Sequence, residues 1–238
     1  MHTSLSITRY KSWAIPFAFF SMAIFRLPLI FNKDISFFKL MGTGRNGTFD
    51  KVPDLHQWAV LCVHENELKL NDSNNMLEIV FGKFISKWLT FFGTETYTLL
   101  LEPISVHGLW DKKEVFGKIN NNNNHIGQVA TLTRATIRIS KLKHFWKNVA
   151  PVANKMTTAK GYIFSVGIGE SPWIKQATFS IWDTVEDMKT FAYSMKEHSE
   201  VIKKTRQEKW YSEDMFVRFK INGSFGKIRG INPLERKL

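Results

Sequence analysis

The sequence predicts an α+β chain built from two copies of one β-α-β-β-α-β unit packed sheet to sheet, and three observations carry that reading. The first is a spaced duplication. KLMGTG at 39–44 returns in form as SVGIG at 165–169, so Gly42 and Gly44 lie 125 residues before Gly167 and Gly169, and Arg9 and Arg134 share that offset. The second is a common order of parts. In each half a Thr-Arg pair closes a short β-like run, an aromatic helical stretch follows, and a strand ending in Gly-x-Gly precedes a strand that carries Trp58 or Trp182. The third is composition: 238 residues with 44% hydrophobic and 23% charged side chains can bury a large core, which excludes global disorder.

Taken in order, the first unit opens with a strand at 4–10. A helix follows at 12–25, then strands at 35–41 and 58–63, a helix at 75–89 and a strand at 96–105. The apolar run from Trp13 to Phe25 follows Arg9 and Lys11 and so has the outline of a signal peptide. Arg26 and Pro28 cut it short of the ~18–20 apolar residues of a membrane span, and no small-x-small cleavage site follows. The expectation is therefore a helix packed on its own sheet, neither cleaved nor spanning.

The second unit has strands at 129–138, 161–166, 177–182 and 215–221. Ser140 is placed to cap a helix in which Leu142, Phe145, Trp146 and Val149 share one face. Thr184 followed by Asp187 forms a capping arrangement for the last helix. Two such ferredoxin-like units occupy 1–117 and 129–238, and the polar run 118–128, with its five consecutive Asn at 120–124, reads as a linker.

Charge and motif content narrow the function classes. There are 33 Lys and Arg against 21 Asp and Glu, a formal charge of +12. The basic residues are scattered, and the densest groups (Lys141, Lys143 and Lys147; Lys203, Lys204 and Arg206) fall at the helical spacings of solvated faces. This argues against a nucleic-acid partner and fits attraction to an anionic membrane surface better. The single cysteine, Cys62, excludes an internal disulfide and a cysteine-based zinc site, as suits a reducing cytoplasm. P-loop, His-Glu-x-x-His, Gly-x-Ser-x-Gly and Cys-x-x-Cys signatures are absent. GTGRNG at 42–47 and GIGE at 167–170 are not followed at once by a helix that would hold a pyrophosphate, so they read as tight turns. No catalytic residue is assigned.

Six histidines, His2, His56, His64, His107, His125 and His144, occur singly. His198 differs. Met188, Phe191, Met195, His198 and Ile202 step by 3, 4, 3 and 4 residues, which puts His198 on the buried stripe of a continuous helix. Two readings stay open at that position: a hydrogen-bonded core histidine, or an imidazole offered to a cofactor in an apolar cavity.

Several runs together resemble the spheroidene monooxygenase family of acyclic carotenoid 2-ketolases. They are ATLTRATIR at 130–138, KLKHFWKNV at 141–149, GIGE at 167–170, ATFSIW at 177–182, FAY at 191–193 and H-x-x-x-I-x-x-T-R-x-x-x-W-Y from His198 to Tyr211. FFKLMGTGRNGTF at 37–49 and LEPIS at 101–105 extend the resemblance into the first half. It implies a dimeric α/β-barrel fold in fused form and a monooxygenase that places a keto group on the terminal region of a linear carotenoid. The implied cofactor is haem iron, with O2 and reduced ferredoxin as co-substrates. Carried over by residue, His198 is the implied iron ligand, and Arg134, Arg138 and Arg206 are implied partners of the propionates. The implied location is cytoplasmic, peripheral to the inner membrane. Departures from the family pattern fall after each repeat, where Trp-x-Gly-x-x-Pro-Phe is usual. Trp110 and Phe116 are kept with Lys112 and Val115 at the Gly and Pro positions, and Gly230 and Pro233 are kept with Ile228 in place of the aromatic. The competing reading is a non-catalytic barrel that binds an apolar ligand.

Overall fold

The computed structural model describes residues 1–45, 50–68, 75–119, 125–194, 204–205 and 207–235, with backbone alone at 149–154 and 194. Eight strands alternate with helices: β1 His2–Arg9, β2 Ile35–Gly44, β3 Pro53–His64, β4 Glu95–Gly108, β5 Val129–Ile137, β6 Tyr162–Ser171, β7 Lys175–Trp182 and β8 Tyr211–Gly226. The described helices are α1 Ile15–Ile24, α2 Arg26–Phe31, α3 Met76–Phe81, α4 Lys83–Phe91, α5 Leu142–Met156 and α6 Val185–Lys189. The hydrogen-bonding order is that of a closed barrel, β1-β3-β2-β6-β7-β5-β8-β4. The chain forms two compact units, Met1–Gly42 with Asp54–Glu102 and Ile221–Leu238, and Thr43–Pro53 with Pro103–Lys220.

In the first unit β1 lies antiparallel between β3 and β4, with Ser4 opposite Cys62 and Leu100, and Ser6 opposite Val60 and Thr98. Residues directly opposite share a face, so this register sets Ser4, Ser6, Val60, Cys62 and Leu100 on one side and Leu5, Ile7, Leu61 and Leu99 on the other. The first side meets the helices, where Val60, Cys62 and Leu100 pack with Ala14, Ala18, Phe25, Leu29, Val80, Ile85 and Leu89. Its hydroxyls satisfy one another across the strands, Ser6 with Thr98 at 2.8 Å, or bond His64, whose Nε2 lies 2.9 Å from Ser4 Oγ. Ala14, in the turn before α1, and Ala18 and Ser21 of α1 are the small residues buried on this side.

The chain stays helical past the point where Arg26 and Pro28 were expected to stop it. Pro28 sits in the first turn of α2, where the missing N–H costs no intrahelical bond. The helical stretch Ser12–Phe31 is 20 residues at mean hydropathy 1.9, long and apolar enough to cross a membrane by length and composition. The span estimate that ended at Phe25 is therefore too short.

In the second unit β5 lies between β7 and β8, with Thr131 opposite Ser180 and Arg218. Trp182, Val129 and Ile104 on this sheet pack against Val185, Met188 and Phe191. The Thr184 cap forms as expected: its Oγ1 accepts from the Asp187 amide at 3.0 Å and donates to Asp187 Oδ2 at 2.8 Å. Ser140 does not cap α5. A single 3-10 turn, Ile139–Lys141, intervenes, and Lys141 holds the capping position with no side-chain bond. Phe145 and Trp146 are nevertheless buried, against Ile137 and Trp210. Beyond α6 the chain continues as a π turn, Thr190–Ser194. The expected stripe holds at Met188 and Phe191, both buried, whereas Met195, His198 and Ile202 lie outside the described residues. Asn120 to Asn124 lie outside them too.

Candidate functional site

Among the described residues of the second unit Arg134 is the most deeply buried charged side chain, 1% exposed toward the end of β5. A guanidinium taken from water needs acceptors, best of all carboxylates, matched to its N–H groups. Three elements supply them. Arg134 pairs with Glu213 of β8, and its NH2 lies 3.4 Å from Asp111 Oδ1 and 3.5 Å from Glu170 Oε1 of β6. The Trp110 ring lies 5.5 Å from the guanidinium carbon and donates its indole N–H to Glu170 at 2.8 Å. Lys175 adds a bond of 2.8 Å to Asp111. Asp111, Glu170 and Glu213 thus converge on Arg134, with Lys175 beside Asp111.

The turn that brings Asp111 there is strained. Trp110 and Lys113 bridge each other, and Asp111 and Lys112 have φ of 50° and 64°. Glu213 holds both residues by accepting from the Asp111 amide at 3.0 Å and the Lys112 amide at 2.7 Å. Burial pushes the Glu213 carboxyl up, but the Lys112 amide, Arg134 and the Asp111 amide outweigh it and hold its pKa below the usual range. The first unit builds the same turn after β8: Ile228 and Ile231 bridge, with Arg229 at φ 54° and Gly230 at φ 77°. There the turn carries a cation, Arg229, in place of an acid. Asp54 receives Arg9 at 2.7 Å and Arg229 at 3.3 Å. Lys112 therefore occupies the left-handed position that Gly230 fills without strain in the first unit's turn.

A second polar group lies on the helix-facing side of the second unit's sheet. Thr131 and Ser180 hydroxyls are 2.9 Å apart, Ser180 accepts the Trp182 indole N–H at 2.9 Å, and buried Arg218 donates to Ser105 at 3.1 Å. Trp182 lies against Phe191 in a tilted pair at 5.1 Å and meets Tyr162 edge-on at 6.0 Å. Hydroxyls, aromatic rings and one buried guanidinium thus share this side of the sheet.

Of the residues singled out by sequence, Arg134 lies in the carboxylate cluster. Arg138 is exposed just past β5, where its amide donates to the Trp210 carbonyl at 2.8 Å. His198 and Arg206 lie outside the described residues. Trp146, Trp182 and Trp210 are core side chains. Sequence reading missed Asp111, Glu170 and Glu213 as partners of Arg134, and Arg218 altogether. Among the described residues no group of three or more His, Cys, Asp or Glu is placed to hold a metal. A small cavity in the first unit, between Tyr10, Ser21, Phe25, Trp58 and Ile85, holds ≈ 10 Å³, about one water and no room for a polyene.

Strands ordered β4-β1-β3-β2 and β8-β5-β7-β6 within a closed barrel, with helices against the sheet in each unit, define the class as an α+β barrel of ferredoxin-like type. Two solved structures of aldoxime dehydratase share the fold, with TM-scores of 0.60 and 0.59. Both are 7% identical; one match covers 98% of this chain and 86% of that one, the other 92% and 79%. No family model matches the sequence. Among known proteins, spheroidene monooxygenase of Rhodobacter capsulatus is 30% identical over 237 residues, 99% of this chain and 96% of that protein. The Cereibacter sphaeroides protein of the same name is 34% identical over 203 residues, 85% of this chain, which spans only 60% of that relative's length. The chain belongs to the spheroidene monooxygenase family.

Proposed function

We propose that this chain is a carotenoid oxygenase that introduces a keto group on the terminal region of a linear carotenoid, using haem, O2 and electrons from reduced ferredoxin. The observation that carries the reading is identity to the R. capsulatus relative along nearly the whole chain. Haem, when bound, supplies the activation of O2.

The residues that would hold the haem are read as follows. His198 is the proposed axial ligand, with Arg138 and Arg206 as propionate partners. Arg134 is reassigned in this reading, because a propionate there would meet three carboxylates already in place. Arg218, a buried guanidinium that donates to Ser105, is a further candidate for a propionate partner. The two units are read as fused ferredoxin-like repeats, 1–117 and 129–238, joined by 118–128. The proposed setting is cytoplasmic and peripheral to the inner membrane, where a lipophilic substrate resides, with no nucleic-acid partner.

The test is turnover of a linear carotenoid in detergent micelles with ferredoxin, its reductase and O2, read by mass spectrometry. A product with one oxygen gained and two hydrogens lost is expected. Ligand binding with no turnover would favour the non-catalytic barrel instead.

A further inference from the structure

We infer that the helical stretch Ser12–Phe31 and α4 form an insertion face that seats the first unit in the outer layer of a bilayer containing anionic lipid. This deepens the peripheral attachment proposed above, replacing loose charge attraction with a defined apolar surface. Helical spacing divides Ser12–Phe31 into a buried stripe and an exposed apolar one. Ala14, Ala18, Ser21, Phe25 and Leu29 form one, each 3% exposed or less and packed on the sheet. Trp13, Phe17, Phe20, Ile24, Leu27 and Phe31 form the other, at steps of 4, 3, 4, 3 and 4 residues. All of these but the half-buried Ile24 are exposed, Phe31 to 77%. A helix on a water-facing surface carries polar residues on that stripe, and this one carries none.

The patch continues onto α4. Phe92 contacts Trp13 at 5.8 Å, Phe17 at 4.7 Å and Phe91 at 5.0 Å, and Phe91 is 80% exposed. Phe84 is exposed on the same helix.

The charges around it choose the occupant. The chain has no Asp or Glu before Asp34; Lys11 and Lys33 flank the stretch, Arg26 is exposed within it, and α4 exposes Lys87 and Lys83, the latter 4.0 Å from Glu78. In an isologous contact with a second copy, this cationic surface would meet itself. Anionic headgroups complement it, and tryptophan and phenylalanine are suited to the headgroup boundary. The buried stripe fixes the depth. Withdrawing Ala14, Ala18, Phe25 and Leu29 from the core to span the bilayer would empty it, so the helix lies in the plane of the interface.

The test uses the full chain and liposome flotation with equimolar phosphatidylcholine and phosphatidylglycerol, with phosphatidylcholine alone as comparison. Wild-type protein is expected to float with the anionic vesicles, and high salt is expected to weaken but not abolish this. F20E/F31E, with native far-UV circular dichroism, is expected to bind more than about tenfold more weakly, since each Phe loses an apolar contact worth a sizeable part of a tenfold factor or more. R26E/K33E is expected to lose the preference for anionic vesicles. Wild-type protein that stays in the aqueous phase overturns the inference, as does F20E/F31E that floats like wild type. A dimer in size-exclusion chromatography that F20E/F31E dissociates, without vesicle binding, assigns the face to a second copy. The assay needs no turnover, so its failure leaves the oxygenase reading standing.

Discussion

Replacing Arg134 by Met tests the carboxylate cluster most sharply, because the residue keeps an apolar stem of similar length while the charge disappears. Breaking a fully buried ion pair from one side costs about 3–5 kcal/mol. Here Asp111 and Glu213 are 35% and 18% exposed and Lys175 stays beside Asp111, so water and one cation relieve part of the loss. The expected destabilisation is therefore about 3 kcal/mol at neutral pH, read from the urea midpoint and slope. The pH dependence carries a sign. The Glu213 carboxyl is depressed in the folded wild type, so its contribution is present above the unfolded carboxylate pKa and fades as pH falls through the folded one. Without Arg134 the same carboxylates are stabilised by protonation, so the gap between wild type and variant narrows in acid. R134M/E213Q should recover part of the loss. A cost below about 1 kcal/mol, or a gap that does not change with pH, would refute the view that Arg134 is held by the protein's own carboxylates.

His64 is buried and neutral, its pKa pushed down to about 4 chiefly by desolvation. Stability should therefore fall as pH drops from ~6.5 toward 4, by up to ~3 kcal/mol, and His64→Gln should flatten that part of the profile in chemical denaturation. Lys112→Gly removes a side chain from a φ of 64° while keeping the amide that Glu213 accepts. It should stabilise the chain by ~0.5–1 kcal/mol, a rise in Tm of about 1–4 °C by calorimetry.

Much of the fold was legible because the signals were local. The Thr-Arg strands and the Thr184 cap depend on residues a few positions apart, and the structure places β1, β5 and α6 where those signals put them. The Ser140 cap failed for a local reason as well, since one 3-10 turn moved the helix start to Lys141. Pro28 misled because proline breaks a helix only past its first turn. The partners of Arg134 were invisible because they lie 23, 36 and 79 residues away, on a turn and two strands. Arg218 was missed through strand alternation. In MFVRFKI the arginine falls on what reads as the solvent face, but in this barrel that face lies under helices.

The central claim is that the chain is a haem-dependent carotenoid oxygenase with His198 on the iron. It is tested most directly by the visible absorption spectrum of the purified protein beside that of His198→Ala. A Soret band in the wild type, lost or shifted in the variant while far-UV circular dichroism stays native and ketolase activity disappears, is the predicted result. No Soret band after reconstitution with haem, or full haem occupancy and unchanged activity in His198→Ala, would contradict it.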